Sequence, residues 1–283
     1  MAGKNLVHSR REREAGRLAG GSIMFIKKLC LTAFLFYLSM TSQEIKNSRT
    51  SEAMVSQFDF GSQGQTELPA DTEAENGAAL HKTGAELAAE LEAFGIDIPD
   101  ALVQEMDDSY DSYPEMYNDY LEVDPAFEYR TLLSYYGMGS YDGSWNWIPS
   151  SNQVYSFDCE VFNLDTMYTE FMTGVEAIGG GEFEITDVTE NTDNVDYDKG
   201  IGTQVLSFRY NGTPYTYEAE FYGDWLDCGV IAFMNGVFEA EGNPKRLLAT
   251  DDGGQGCILL YNTEEWGREL EAQTGLELET YFY

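Results

Sequence analysis

Residues able to carry acid–base or nucleophilic chemistry are unevenly supplied in this chain. It has two histidines, His8 and His81, and composition places both in N-terminal segments ahead of the folded domain. Imidazole-based triads and dyads and His-ligated zinc drop out together on that count. No G-x-x-x-x-G-K-[ST], no G-x-G-x-x-G after a strand and no G-x-S-x-G is present, so a phosphate loop, a dinucleotide fold and a hydrolase elbow lack support. An enzyme built on this sequence would work through carboxylates, Tyr, Lys or Cys.

Two carboxylate pairs invite that reading, Asp224 with Asp227 and Asp251 with Asp252 in a Gly-rich loop. A glycosidase needs two carboxyls held at a fixed separation across a sugar, one of them with a raised pKa. In so acidic a chain neighbouring acids also arise without function. Asp224 reads as a helix cap and Asp251-Asp252 as turn residues beside their glycines, so no catalytic residue is assigned.

Asp193, Asp196 and Asp198 lie in an oxygen-rich stretch ending in Gly200, a composition that suits calcium. The stretch departs from the EF-hand pattern, since Lys199 stands where Gly is needed and Val205 where a bidentate Glu should be. The competing account is a solvated hairpin connection. Trp145 and Trp147 alternate, so an extended chain would put both rings on one side with Tyr141 nearby, a platform for a sugar or a peptide; a core role is the alternative. Cys159, Cys228 and Cys257 show no C-x-x-C spacing. One disulfide with a spare thiol fits an exported protein, but small buried apolar residues are the reading with more weight. No cofactor is implied.

The elements that must position these residues follow from patterning. Met24 to Lys28 is a short basic start and Leu29 to Leu38 an uncharged apolar run, which is the layout of a signal peptide over residues 24–42. A spanning helix needs about 20 apolar residues, and Lys27-Lys28 stops the run well short, so no integral membrane domain is expected beyond the signal sequence, cleaved or kept as an anchor. Residues 1–23 read as untranslated upstream sequence, because Ala19-Gly20-Gly21 can be encoded by a ribosome-binding stretch with Ser22-Ile23 as its spacer before Met24. That reading implies a bacterium and an exported product, secreted or associated with the cell envelope.

Residues 43–82 are polar and read as a disordered linker. Residues 83–126 form a short helical, acidic and Tyr-rich segment: a helix from Thr83 to Phe94, a second starting at Pro99-Asp100, and then either a helix pair or an acidic loop. From residue 127 to 283 strands joined by tight turns alternate with amphipathic helices, the pattern of an antiparallel-rich α+β domain with two to three packed helices. Asp165 and Asp224 are expected to cap the two main helices, Asn262 with Glu265 to box a third, Asn211-Gly212 to close a hairpin and LELETYFY to end the chain as a strand. The αββ order from Asp165 to Tyr222 is echoed from Asp224 to Tyr261.

Charge bounds the partners. Fifty acidic against sixteen basic residues give a net charge of −34, and nine of the sixteen bases precede residue 50. Such a surface repels phosphate backbones and anionic lipid. The expected function is non-catalytic binding of an extracellular glycan or protein partner, without nucleic acid, and the alternative is a His-independent carboxylate hydrolase acting on an extracellular glycan or peptide.

Overall fold

The computed structural model describes residues 81–161 and 163–282. The upstream leader, the signal peptide and nearly all of the linker lie outside the described residues. The described residues belong to one compact unit, an α+β fold of seven helices and three antiparallel sheets.

The chain enters through helix α1 (Gly84–Glu92), whose cap is a full capping box: the Thr83 side chain accepts from Glu86 N–H while the Glu86 carboxylate accepts from Thr83 N–H. Its Leu87 and Leu91 are buried. The acidic Tyr-rich stretch resolves as a helix pair, α2 (Asp100–Ser112) and α3 (Pro114–Leu121), with Pro114 at the first position where its missing N–H costs nothing. Helix α4 (Phe127–Gly137) follows, carrying the fully buried Leu132 and Leu133. These helices pack on the rest of the unit, where Trp266 Nε1 donates to the Phe94 carbonyl and Gln153 Nε2 to that of Gly95. His81, which composition assigned to the linker, packs here too: its ring stacks on Tyr110 and its Nδ1 pairs with the buried Glu128 carboxylate.

After α4 come a small hairpin, β1 (Ser140–Tyr141) with β2 (Trp147–Ile148), strand β3 (Val154–Asp158) and helix α5 (Met167–Ile178). Strands β4 (Ile185–Asp196), β5 (Ile201–Tyr210) and β6 (Thr213–Glu220) form one meander. Asn211 and Gly212 both have positive φ at its second turn, as the Asn-Gly signal predicts for a primed hairpin turn. Helix α6 (Gly229–Ala240), strands β7 (Arg246–Asp251) and β8 (Gly256–Asn262) and helix α7 (Glu264–Thr274) complete the order. Strand β3 joins the β7–β8 hairpin as its outer neighbour, giving the order β3-β8-β7. The echo between the two halves therefore stops at one level: each main helix precedes an antiparallel hairpin, and each hairpin recruits a different third strand.

The core lies where α5 and α6 bridge the two larger sheets. Helix α5 packs on β3 and β4, and α6 on β6 and β7. Met167, Tyr168, Phe171, Met172, Val175 and Ile178 of α5 are all buried, as their helical spacing requires. Helix starts depart from the sequence reading. Helix α5 begins at Met167 and α6 at Gly229, and neither Asp165 nor Asp224 caps them. Residues before α6 are occupied otherwise: Gly223 and Asp224 form the turn between the bridged Tyr222 and Trp225, while Val161 N–H donates to the Asp224 carbonyl and Glu160 bridges Trp225. Thr263, one residue after Asn262, caps α7 through Trp266 N–H. The terminal stretch makes one bridge, Glu279 with Ala249, in place of a strand. No helix among the described residues is long and apolar enough to cross a membrane.

Candidate functional site

The hairpin of β1 and β2 presents the most exposed aromatic side chain among the described residues. Its turn is tied by Asp142, whose carboxylate accepts from the N–H groups of Ser144 (2.7 Å) and Asn146 (3.0 Å) and from Asn146 Nδ2 (3.1 Å). These bonds, those from Asn146 first, hold the Asp142 carboxyl below its ordinary value. The hairpin is anchored at its base, where Tyr141 Oη donates to Glu170 on α5 at 2.7 Å. Burial, then the Glu170 carboxylate, push that phenol up to about 12.

Trp145 and Trp147 do not share a face. Trp147 is half-buried and lies flat on Gly139, where an added Cβ would stand 2.2 Å from its ring. Its other neighbour is Tyr155, met edge-on at 5.3 Å. Trp145 occupies the turn with φ 64° and is 77% exposed, its ring 6.3 Å from that of Tyr141. A left-handed backbone is rare for so bulky a residue and costs about 1–2 kcal/mol. One ring of the pair is thus packed against its neighbours and the other open to solvent.

The acidic stretch is dispersed. Asp193 sits exposed near the end of β4 and accepts from Asn191 Nδ2. Asp196 ends that strand paired to Lys199 at 2.6 Å, and Asp198 is exposed in the turn. No group of three or more His, Cys, Asp or Glu residues fit to hold a metal occurs among the described residues. Of the carboxylate pairs, Asp251 accepts from Arg130 and from Gly253 N–H, and Asp252 from the N–H groups of Gly254 and Gly256, which are turn roles. Asp224 is exposed while Asp227 faces inward, accepting from Tyr217 Oη (2.8 Å), Glu220 N–H (3.0 Å) and Gly229 N–H (3.0 Å).

Two polar networks were missed by sequence reasoning. In one, Lys82 Nζ bonds Glu90 and Tyr129 Oη, with Gln273 donating to the same Glu90 carboxylate. Lys82 is one of seven basic residues after residue 49, and that scarcity was the available signal. In the other, Glu190 on β4 accepts from Thr169 N–H (2.7 Å) and Oγ1 (2.6 Å) at the start of α5 and from Gln204 Nε2 (2.6 Å), while Gln204 Oε1 is without a partner. Burial raises the Glu190 carboxyl above its ordinary 4.5 despite these donors. A raised folded-state value favours the protonated form, so the stability it contributes is present at low pH and lost as pH rises through the raised value. Relative to Glu190→Gln, the wild-type chain should gain stability as pH falls from neutrality towards 4.5. Denaturant midpoints of the two proteins across that range measure it, and a constant difference would refute it.

No protein-family profile matches the chain, and neither a curated protein nor a solved structure shows significant similarity to it.

Proposed function

We propose that this is an exported bacterial binding module that captures a neutral extracellular glycan on the Trp145 ring without catalysing a reaction. The observation that supports it is Trp145 itself, a large apolar ring held in solvent at a cost in backbone conformation, on a hairpin fixed at turn and base. Strain of this kind concentrates where a side chain is needed in one place. Sugars stack their C–H faces on such rings, and the surrounding acidity disfavours anionic ligands. A protein partner meeting the same ring is the competing occupant. The hydrolase alternative draws little support from Asp227, Asp251 and Asp252, whose oxygens already hold backbone or side-chain donors.

Thermal unfolding against a panel of neutral glycans tests the reading, since a ligand that binds only the folded state raises the melting point. Trp145→Gly should abolish the ligand-induced shift while leaving the unliganded protein as stable or more so, by about 0.5–1 kcal/mol, because glycine relieves the left-handed strain. Trp147→Ala should instead destabilise the unliganded protein by about 2–3 kcal/mol through lost packing on Gly139 and Tyr155. A panel without any shift, or a shift that survives Trp145→Gly, would overturn the glycan reading.

A further inference from the structure

Sequence spacing gave no reason to pair the cysteines, yet Cys159 Sγ and Cys228 Sγ lie 3.5 Å apart although 69 positions separate them in the chain. Cys159 follows β3 and is buried; Cys228 immediately precedes α6 and is half-buried. Their backbones are held together independently of the sulfurs. Leu226 N–H donates to the Cys159 carbonyl at 2.8 Å and Val161 N–H to that of Asp224 at 2.6 Å, a short antiparallel pairing that fixes both segments. Closing a disulfide would bring the sulfurs about 1.5 Å nearer, a movement within reach of side-chain rotation when the backbones are already adjacent.

We propose that Cys159 and Cys228 form a disulfide that clamps the β3 sheet to the connection between β6 and α6, with Cys257 remaining a thiol. The two sulfurs have distinct roles. The contact between the two sulfurs holds the Cys228 thiol below its ordinary value and the Cys159 thiol above it. Cys228 also stands at the N-terminus of a helix, where a thiolate is favoured. It is therefore the attacking sulfur. Its thiolate displaces one thiolate from a small-molecule disulfide such as oxidised glutathione, giving a mixed disulfide. The Cys159 sulfur then displaces the second thiol. Two protein thiols are oxidised, one external disulfide is reduced to two thiols, and the two protein protons leave on them. Cys257 has no accessible surface, and burial raises its thiol well above the ordinary range, so it takes no part.

An oxidising compartment is what the export reading supplies, but the chemistry can be tested without it, so a failure of glycan binding leaves this proposal standing. The full chain carrying Cys30→Ser, which leaves Cys159, Cys228 and Cys257 as its three thiols, is purified reduced, confirmed as folded by its cooperative unfolding, and exposed to oxidised glutathione. The expected product has lost two thiols and two hydrogens in mass, yields one peptide linking Cys159 to Cys228, and melts about 10 °C higher than the reduced chain, an increase that dithiothreitol reverses. Cys159→Ser and Cys228→Ser should each abolish the shift, and Cys257→Ala should keep it. Peptide mapping of the chain carrying only Cys30→Ser decides the matter even where a variant folds poorly. Retention of all thiols, a stable glutathione adduct on Cys228, or a linkage through Cys257 would each overturn the proposal.

Discussion

Replacing Asn235 with Ala should destabilise the protein by about 3–5 kcal/mol, lowering its melting point by about 10 °C. Asn235 is a buried polar residue in an otherwise apolar stretch of α6. Its Nδ2 donates to the carbonyls of Leu247 (2.9 Å) and Thr280 (2.7 Å), and its Oδ1 accepts from Leu247 N–H (2.7 Å). Truncation leaves the backbone of Leu247, the first fully buried residue of β7, with both polar groups short of a partner and frees the C-terminal tail at Thr280. Each such group costs about 1–3 kcal/mol. Asn235→Asp separates this account from simple loss of volume. It keeps an acceptor for Leu247 N–H but turns a carboxylate oxygen towards two carbonyls, so its deficit should be large at neutral pH and shrink as the carboxyl is protonated. Thermal unfolding of both variants between neutral and acidic pH checks it, and a pH-independent Asn235→Asp deficit would refute the hydrogen-bond argument.

Asn235 also marks where sequence reading ends. The apolar stripes of α5 and α6 are legible because helical spacing and burial are the same fact seen twice, and the Asn211-Gly212 turn is legible because its positive φ angles select the residue types. Caps are less so. Asp165 and Asp224 have the right side chain for a helix start, but the pairing of Cys159 to Val161 with Asp224 to Leu226 commits Asp224 to a turn ahead of α6. That interaction is long-range and leaves no local trace. The same holds for the thiol pair, for the bonds of Asn235 to β7 and the tail, and for His81, whose partner Glu128 lies 47 residues on. Trp145 and Trp147 were identified by type, and their division into an exposed and a packed ring was hidden because strands of two residues carry no periodicity.

Gly137→Ala should cost about 3 kcal/mol, at the upper end of overpacking effects. Gly137 ends α4 against the backbone of β3, where an added Cβ would stand 2.6 Å from Ser156 N, 2.9 Å from Val154 Cγ1 and 3.0 Å from the Tyr155 carbonyl carbon. Two of these are backbone atoms of a strand already paired to β8 on one side and bridged to Met138 on the other, so no rotamer change relieves the contact. The helix must move, and it carries the fully buried Leu132 and Leu133 with it. Gly143, in the hairpin turn, is the control: an added Cβ there meets nothing within 4 Å and its φ is not positive. Gly143→Ala should therefore be neutral or stabilising by about 0.5 kcal/mol. The consequence reaches the candidate site, because Tyr155 lies on the displaced strand and its ring supports Trp147. If the hairpin binds through Trp145 on that support, Gly137→Ala should weaken a ligand-induced melting shift as well as lower the melting point, whereas Gly143→Ala should preserve both. Equal stability of the two alanine variants would show that α4 and β3 are not packed as closely as these distances require.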